Sequence, residues 1–345
     1  MWLLTLRDLT HRAARFVVVI LATAVVFTLL FLMTGLVEQF NQEPFLSVDA
    51  IGDDNWVVPS GVSGPVTATS TLDPAIASQL EAEGLEPVLM ARGTLTVDGT
   101  ASESVVLGHL PGGSVSPPLT AGQQVATAGE VVVDETTGVD IGDQIRLSDA
   151  TFTVVGITSD TTLLACQPIV FVGIDDVREV LFGGAPATSA LLGTPDEVPE
   201  GVTVLTPTQV AEDALGPLES AISSIDLIRI LLWAVAAIII GAVVYLSALE
   251  RSRDFAVLRA VGAPIRELGG SLALQALVIA LVAVAVAAVL QFLLVPVFPM
   301  TVRVPARSLW QLPLLSVIVA LVAAAGGMRR VRRTDPAHAF AGPGA

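Results

Sequence analysis

Four long stretches of the chain are almost free of charged side chains, and each is long enough for a helix that crosses a bilayer. A run of about 18 or more apolar residues has the length of a transmembrane helix. The runs cover residues 16–37, 227–249, 272–297 and 310–328. Residues 38–226 instead mix short apolar runs with polar residues. The pattern predicts an α-helical membrane protein with four transmembrane helices and a mixed α/β domain inserted between helices 1 and 2.

The first run is predicted to stay on the protein as an anchor. Its 22 residues exceed the apolar core of a secretory signal peptide, which has about 7–15 residues. No small-residue cleavage site follows it at residues 33–40. We therefore expect a retained helix and not a cleaved leader.

Composition supports the membrane assignment and removes several enzyme classes. Of 345 residues, 53% are hydrophobic and 14% are charged, with a mean hydropathy of +0.75, whereas a soluble domain carries about 25% charged residues. All 17 residues counted as lysine or arginine are arginine. A P-loop needs a lysine at the phosphates of ATP, so we expect no ATP hydrolysis by this chain. The single cysteine, Cys166, has no partner for an internal disulfide, and its apolar neighbours predict a small core residue.

The distribution of arginines predicts the orientation in the membrane. Residues 1–15, 250–271 and 329–345 hold 11 of the 17 arginines and only five acidic residues, whereas residues 38–226 hold 28 acidic residues and three arginines. Cytoplasmic loops of membrane proteins carry the excess of arginine and lysine. We therefore predict a multi-pass protein of the cytoplasmic membrane with an amphipathic N-terminus, a loop and a C-terminal tail inside. The large insert, and a short loop at residues 298–309, would lie outside.

The insert shows the alternation of strands and helices that is typical of an α/β domain. Short β-branched runs bounded by Gly, Pro or Asp predict strands at 57–58, 93–97, 104–107, 130–133 and 169–172, with a hairpin over 140–156. Asp73 followed by Pro74 predicts the start of a helix that Gly84 ends. A second helix is predicted from Thr206 or Thr208 to Leu218, where it can continue into the second transmembrane helix as a stalk.

The insert offers no constellation for hydrolysis or metal binding. His109 is its only histidine, and the sequence contains no CxxC, HExxH or calcium-loop motif. A nucleophile with a positioned base, or several convergent metal ligands, would be needed for those functions. The acidic residues are interpreted as a solvated outer face.

The loop between the second and third apolar runs has the sequence ERSRDFAVLRAVGAP at residues 250–264. Its apolar residues lie roughly at helical spacing, and its arginines supply a polar face. Gly262 is placed to end the helix, and Pro264 prevents its return. The loop is predicted to form a short amphipathic helix on the inner membrane surface.

This loop resembles the segment E-R-x-R-E-[IF]-A-V-L-R-A-L-G-A of the FtsX-like permeases, which include macrolide-exporter (MacB-type), lipoprotein-releasing and haem-exporter (HrtB-type) permeases. The sequence at 329–340 is similar to the R-x-x-P-A-x-A-L that closes these chains, and residues 129–157 resemble their periplasmic core domain. The order of one helix, a large domain and three helices also matches. The resemblance covers nearly the whole chain and is greatest to the haem-exporter type.

The resemblance implies a mechanotransmission-type permease subunit of an ABC transporter. Such a subunit pairs with a second copy of itself in the lipid bilayer and with two ABC ATPase subunits, which bind the ATP. It also implies that the loop helix is a coupling helix in a groove of the ATPase. The residues expected to make this contact are Glu250, Arg251, Arg253, Asp254, Phe255, Leu258, Arg259 and Gly262. We expect no permanently bound cofactor, no metal and no nucleic acid.

The substrate is predicted to be hydrophobic or amphiphilic, because the first two apolar runs offer no polar pathway. Haem taken laterally from the membrane is the leading hypothesis, with Glu38 as the iron ligand and Met33 as a second ligand candidate. Arg229 and Arg303, together with Arg307, suit the propionates. Three alternatives stay open: Glu38 only marks the membrane boundary; the cargo is a lipid-like or antibiotic molecule; or the protein transports nothing and regulates a cell-wall hydrolase or a sensor.

Overall fold

The protein divides into two compact units. The computed structural model describes residues 13–67, 71–250, 265–295 and 304–333. One unit, the helical unit, comprises the chain up to Glu38 and from Ser223 onward, and the other, the inserted domain, comprises Gln39–Ile222. Both boundaries between the units fall inside helices.

Four long helices account for the described part of the helical unit. They are α1 (Ala13–Ile51), α5 (Glu219–Glu250), α6 (Ile265–Leu294) and α7 (Ser308–Arg333). Among the described residues, the first three of these are long and apolar enough to cross a membrane. Of α7, a shorter apolar stretch, Ser308–Val322, is found within the residues that the structure describes. The apolar helices are therefore present, while the count of four transmembrane helices stays a prediction.

The first helix extends beyond the predicted transmembrane span 16–37. Helix α1 continues for another 14 residues to Ile51, and Gly52, with a φ of +152°, follows it. Glu38 and the polar residues after it end the apolar run, but they do not stop a helix, because Glu and Gln are good helix formers. The second apolar run likewise lies inside a longer helix that begins at Glu219. Hydropathy thus located the apolar parts of these helices and not their ends.

Alanines make up half of the buried apolar cluster in the described part of the helical unit. Ala24 of α1, Ala236 of α5 and Ala280 of α6 are fully buried in one apolar cluster. Large aliphatic side chains such as Ile238, which is 69% exposed, face outward. Small residues between helices and large apolar residues outside are typical of membrane helices. The buried Gln275 Nε2 donates a hydrogen bond of 2.9 Å to the Ser247 hydroxyl, which links α6 to α5.

The inserted domain is built on one mixed β-sheet of eleven strands. Its strands are β1 (Trp56–Pro59), β2 (Glu86–Val97), β3 (Thr100–His109), β4 (Leu119–Gly122), β5 (Glu130–Asp134), β6 (Gln144–Leu147), β7 (Ala150–Thr158), β8 (Thr162–Leu163), β9 (Gln167–Gly173), β10 (Ala190–Leu192) and β11 (Val202–Leu205). The main path runs β11-β1-β10-β2-β3-β9-β5-β7-β4, with β6 against β2 and β7 and with β8 against β9. The β3–β9 and β5–β7 pairs are parallel, and the others are antiparallel.

Three short helices complete the inserted domain. They are α2 (Pro74–Ala82), α3 (Ile174–Phe182) and α4 (Pro207–Leu215). The predicted caps of α2 and α4 are confirmed: Asp73 accepts a hydrogen bond from the Ala75 N–H, and Thr206 forms a capping box with Gln209. A 3₁₀ turn, Gly216–Leu218, leads from α4 into α5. The predicted continuation of this helix into the second apolar helix is therefore present, interrupted only by the 3₁₀ turn.

The predicted strands and the hairpin are all present, but five elements were missed. Helix α3 and strands β4, β8, β10 and β11 have no counterpart in the prediction. Each missed strand has two to four residues, which is too short for alternation to be recognised. Helix α3 begins after Gly173 without a side-chain cap. Local signals are weak where tertiary pairing supplies most of the stability.

Alternate residues of the central strands contribute to two different core clusters. Leu107 of β3 and Phe171 of β9 lie in one cluster, whereas Val106 and Val170 lie in the other. This division follows from the two-residue period of a β-strand. The first cluster also contains residues from the last turns of α1, Val48 and Ile51. The end of α1 is therefore part of the core of the inserted domain.

A buried carboxylate organises one end of the sheet. Asp134, at the end of β5, is fully buried. Its Oδ1 accepts hydrogen bonds from the N–H and hydroxyl of Thr136, and its Oδ2 accepts from the N–H and hydroxyl of Thr161 at 2.8 and 2.9 Å. The Thr161 hydroxyl also contacts that of Thr158 in β7. Asp134 thereby joins β5 to the loop that follows β7.

Candidate functional site

The predicted ligand Glu38 lies in an ion pair. It follows the apolar run of α1, and its carboxylate Oε2 accepts a hydrogen bond from the guanidinium Nη2 of Arg307, the residue before α7. The Glu38 side chain is 13% exposed and that of Arg307 is 58% exposed. We call these two residues the rim pair. The pair joins α1 to the start of α7 and leaves the arginine accessible.

The other predicted haem contacts are not gathered around Glu38 in the described residues. Met33 is half-buried five positions before Glu38 on α1, and successive helical residues rotate by about 100°, so the two side chains point in different directions. Arg229 pairs with Asp226 one turn earlier on α5, at 2.7 Å. Arg303 lies outside the described residues. The arginine that does contact Glu38 is Arg307. The sequence predicts both residues at the outer ends of apolar helices.

Most of the predicted ATPase contacts lie outside the described residues. Glu250 is the last residue of α5 and is exposed. Outside the described residues are Arg251, Arg253, Asp254, Phe255, Leu258, Arg259 and Gly262. Since α5 ends at Glu250 and α6 begins at Ile265, the loop connects two long apolar helices.

A second carboxylate on α1, which sequence reasoning missed, is buried in the inserted domain. Glu43 is 1% exposed, and its Oε1 accepts a hydrogen bond of 2.7 Å from the backbone N–H of Cys166. One turn later, the hydroxyl of Ser47 donates to the carbonyl of Thr162. The only signal in the sequence is a glutamate followed by Pro44, inside a segment that was interpreted as the start of the insert. Both contacts connect α1 to the short strand β8 and the turn after it.

The turn that holds Glu43 has an unusual backbone. Leu164, Ala165 and Cys166 have φ values of +54°, +70° and +67°. Left-handed backbone costs a residue other than glycine about 1–2 kcal/mol, so three in succession require support from their surroundings. We call this segment the left-handed turn. The prediction that Cys166 is a core residue is wrong, because it is only half-buried.

His109 is the only histidine that the described residues include. It is 2% exposed at the end of β3, its Nδ1 lies 3.1 Å from the carbonyl of Leu110, and its ring meets that of Phe171 edge-on. Burial lowers the pKa of His109, because a charged imidazolium would lose its hydration. Within the described residues, no group of three or more His, Cys, Asp or Glu is arranged to hold a metal ion. The neutral ring is thus a core side chain in this fold.

Two sequence families and a close relative establish what kind of protein this is. Residues 227–336 match the FtsX-like permease C-terminal family, and residues 16–215 match the MacB-like periplasmic core domain. An ABC transporter permease of Mycobacterium tuberculosis is 37% identical over 344 residues, which cover 98% of this chain and 99% of the relative. The chain belongs to the FtsX/MacB-type ABC transporter permeases. Such a permease works with an ATPase partner subunit.

Further comparisons give one more relative at the same identity and two that are more distant. It is 37% identical to a second ABC transporter permease of M. tuberculosis, over 98% of this chain and 99% of that one. It is 19% identical to a hemin transport system permease protein, HrtB, of Staphylococcus epidermidis, over 95% and 96% of the two chains. Among solved structures, the periplasmic region of MacB from Actinobacillus actinomycetemcomitans aligns with a TM-score of 0.35 and 14% identity, over 48% of this chain and 94% of that one.

Proposed function

We propose that this permease exports haem, taken laterally from the membrane, as a homodimer that works with two copies of its ATPase subunit. The observation that carries this proposal is the rim pair, a carboxylate and an arginine at the end of an apolar helix. Haem presents an iron that accepts oxygen ligands and two propionates that suit arginine. The named hemin transport function of the S. epidermidis relative supports the same cargo.

In this proposal the rim pair opens to bind the cargo. Arg307 leaves Glu38 and pairs with a propionate, while the freed Glu38 carboxylate coordinates the iron. The exchange replaces one ion pair by another and needs no redox step. Arg229 and Arg303 are further propionate contacts, and Met33 is the alternative iron ligand. Because Arg307 is more than half exposed, it can reorient without unpacking a core.

The proposed orientation places the rim pair and the inserted domain outside the cytoplasm, with both termini inside. It rests on the arginine-rich segments 1–15, 250–271 and 329–345. The loop at 250–264 would then meet the ATPase. Replacing Gly262 with arginine should uncouple ATP hydrolysis from transport without unfolding the inserted domain. Normal transport by this variant would contradict the coupling role.

A hemin titration of the purified permease–ATPase complex tests the cargo. The wild-type complex should give a saturable Soret shift, and Glu38→Gln should abolish it. Arg307→Gln should keep the shift but weaken binding about 10- to 100-fold, which is the effect of losing one charged hydrogen bond. Glu219→Gln, which neutralises an exposed carboxylate at the start of α5, is the matched control.

A charge swap separates ligation from bracing. The double variant Glu38→Arg/Arg307→Glu restores an ion pair but moves the carboxylate to the other position. We expect it to recover the thermal stability that Glu38→Gln loses and not to recover the Soret shift. Glu38 would be refuted as the iron ligand by either of two results. One is a Soret shift in Glu38→Gln that equals that of the wild type. The other is a wild-type Soret shift in the double variant.

A second candidate function is mechanical regulation of a cell-wall hydrolase or a sensor. It is supported by α1, which is one continuous helix from Ala13 into the core that contains Val48 and Ile51. The two functions differ in what stimulates the ATPase of the complex. Stimulation by hemin favours export of haem, and stimulation by phospholipid or antibiotic alone favours another cargo. Cross-linking of the inserted domain to a stable partner, with no stimulation by any cargo, favours regulation.

A further inference from the structure

The last part of α1 contains a point where the helix can bend. Pro44 lies inside the helix, and proline has no N–H to donate to the carbonyl four residues earlier, here that of Phe40. After this point, Val48 and Ile51 are fixed in the core of the inserted domain. A helix that lacks one internal hydrogen bond bends most easily there. The segment before Pro44 can therefore change direction while the segment after it stays in the core.

Glu43 lies directly before this bend point and is held by the left-handed turn. Its carboxylate is buried and accepts the Cys166 N–H. No arginine pairs with Glu43 anywhere in the described segments. One end of α1 is thus attached twice to the same loop region, by Glu43 before the bend and by Ser47 after it.

The Glu43 contact is suited to opening and closing. A buried carboxylate without a cation loses most of its hydration, and left-handed backbone at three residues other than glycine is unfavourable. Opening the contact would rehydrate the carboxylate and let the turn relax, which offsets the loss of the hydrogen bond. The Ser47 bond involves neither a buried carboxyl group nor a donor in left-handed backbone, so it lacks this compensation. A modest bending force on α1 should therefore release Glu43 first.

We infer that Glu43 is a positioning residue for transport: its attachment to the left-handed turn fixes the direction of α1 at Pro44, and ATP-driven movement of α1 releases it. The inserted domain then changes its attachment to α1 once in each cycle of the ATPase. This inference rests on the permease family and does not depend on the cargo. A failure of the haem titration therefore leaves it intact, and its own failure leaves the haem proposal intact.

The single cysteine provides a direct measurement. Cys166 belongs to the left-handed turn and is half-buried, so its alkylation rate reports whether the turn is closed. The assembled permease–ATPase complex is alkylated with a maleimide, without nucleotide and after trapping with ATP and vanadate. In the wild type we expect slow labelling without nucleotide and labelling that is about tenfold or more faster in the trapped state.

Two variants change this response in opposite ways. Glu43→Ala should label rapidly in both states, because the turn has lost its partner. Pro44→Ala restores the missing N–H and stiffens the helix, so it should label slowly in both states. Both should lose coupled transport. Asp49→Ala, which removes an exposed carboxylate from the same helix, should behave like the wild type.

The nucleotide dependence of labelling distinguishes positioning from a merely structural role. If Glu43 only stabilised the fold, Glu43→Ala would label faster in both states but keep the difference between them, and Pro44→Ala would respond like the wild type. Either result, or a wild-type rate that does not change on trapping, would overturn the inference. Pro44→Ala keeps the test decisive even if Glu43→Ala does not fold.

Discussion

Replacing Asp134 with alanine should be among the most damaging single changes in the inserted domain. Asp134 is fully buried and accepts four hydrogen bonds, two from Thr136 and two from Thr161. It also caps the short 3₁₀ helix Glu135–Thr137. Alanine removes every acceptor at once. The N–H of the fully buried Thr161 would be the most costly donor to leave unpaired, because water does not reach it.

The expected loss can be worked out from these contacts. A buried donor left without a partner costs about 1–3 kcal/mol. In Asp134→Ala this applies to the Thr161 N–H, because the Thr161 hydroxyl still has the Thr158 hydroxyl as a partner. The loss of a side-chain cap at Thr136 costs about 1 kcal/mol more. The sum is about 2–4 kcal/mol, and a central value of about 3 kcal/mol lowers the folding equilibrium constant more than a hundredfold. That is a large part of the usual stability of a domain, about 5–15 kcal/mol.

Pulse proteolysis in urea measures this loss on the full-length permease in detergent. A short exposure to protease cleaves unfolded water-accessible chain, so the surviving fraction reports the stability of the inserted domain. Asp196→Ala, which removes an exposed carboxylate from the loop before β11, should stay within about 0.5 kcal/mol of the wild type. A loss below about 1 kcal/mol for Asp134→Ala would refute the assignment of Asp134 as an organising residue.

Three further changes test other parts of the structure. The pKa of His109 is lowered in the folded protein. Its contribution to stability is therefore present above the unfolded pKa of about 6.5 and is lost as the pH falls, by at most about 1.4 kcal/mol per pH unit. His109→Phe should flatten the fall in melting temperature between pH 7.5 and 5.5, and an unchanged slope would contradict this. Gly64→Ala should destabilise the inserted domain by about 1–3 kcal/mol in urea unfolding, since its Cβ would overlap the Asp213 carboxylate; wild-type stability would show that the loop can move aside. Gln275→Leu should lower the melting temperature of the permease in detergent, because it removes a hydrogen bond worth about 0.5–1.5 kcal/mol between α5 and α6. Gln291→Leu replaces a buried amide whose Oε1 has no partner, and it should leave the melting temperature unchanged.

The sequence was informative wherever a residue acts through its neighbours along the chain. The apolar runs predicted the long helices, and the alternation in residues 140–156 predicted the β6–β7 hairpin. Asp73 and Thr206 mark the starts of α2 and α4 because a helix cap involves only residues two or three positions apart. The loop at 250–264 identified the family through a local motif that the comparisons confirm.

Contacts between distant residues could not be read in this way. The sequence predicts Glu38 and Arg307 at the outer ends of apolar helices, but it does not show that they pair. The two residues of the rim pair are 269 positions apart. Glu43 and Cys166 are 123 positions apart, and nothing near Glu43 indicates that a left-handed turn will receive its carboxylate. Hydropathy also gives no sign of where α1 ends, because Glu38 changes polarity without changing helix propensity. The site therefore depends on topology, which a single sequence specifies only indirectly.

The order of strands in the sheet constrains how the inserted domain is made. β1, at residues 56–59, pairs with β10 and β11, at residues 190–205. The first strand to be synthesised, β1, therefore cannot pair until the last two strands have been made. In the same way, β3 cannot pair with β9 until β9 has been made. Pairings between such distant residues are slow to form. The β1 edge of the sheet can consequently close only after nearly 150 further residues have been synthesised, whereas local hairpins such as β2–β3 and β6–β7 can form earlier.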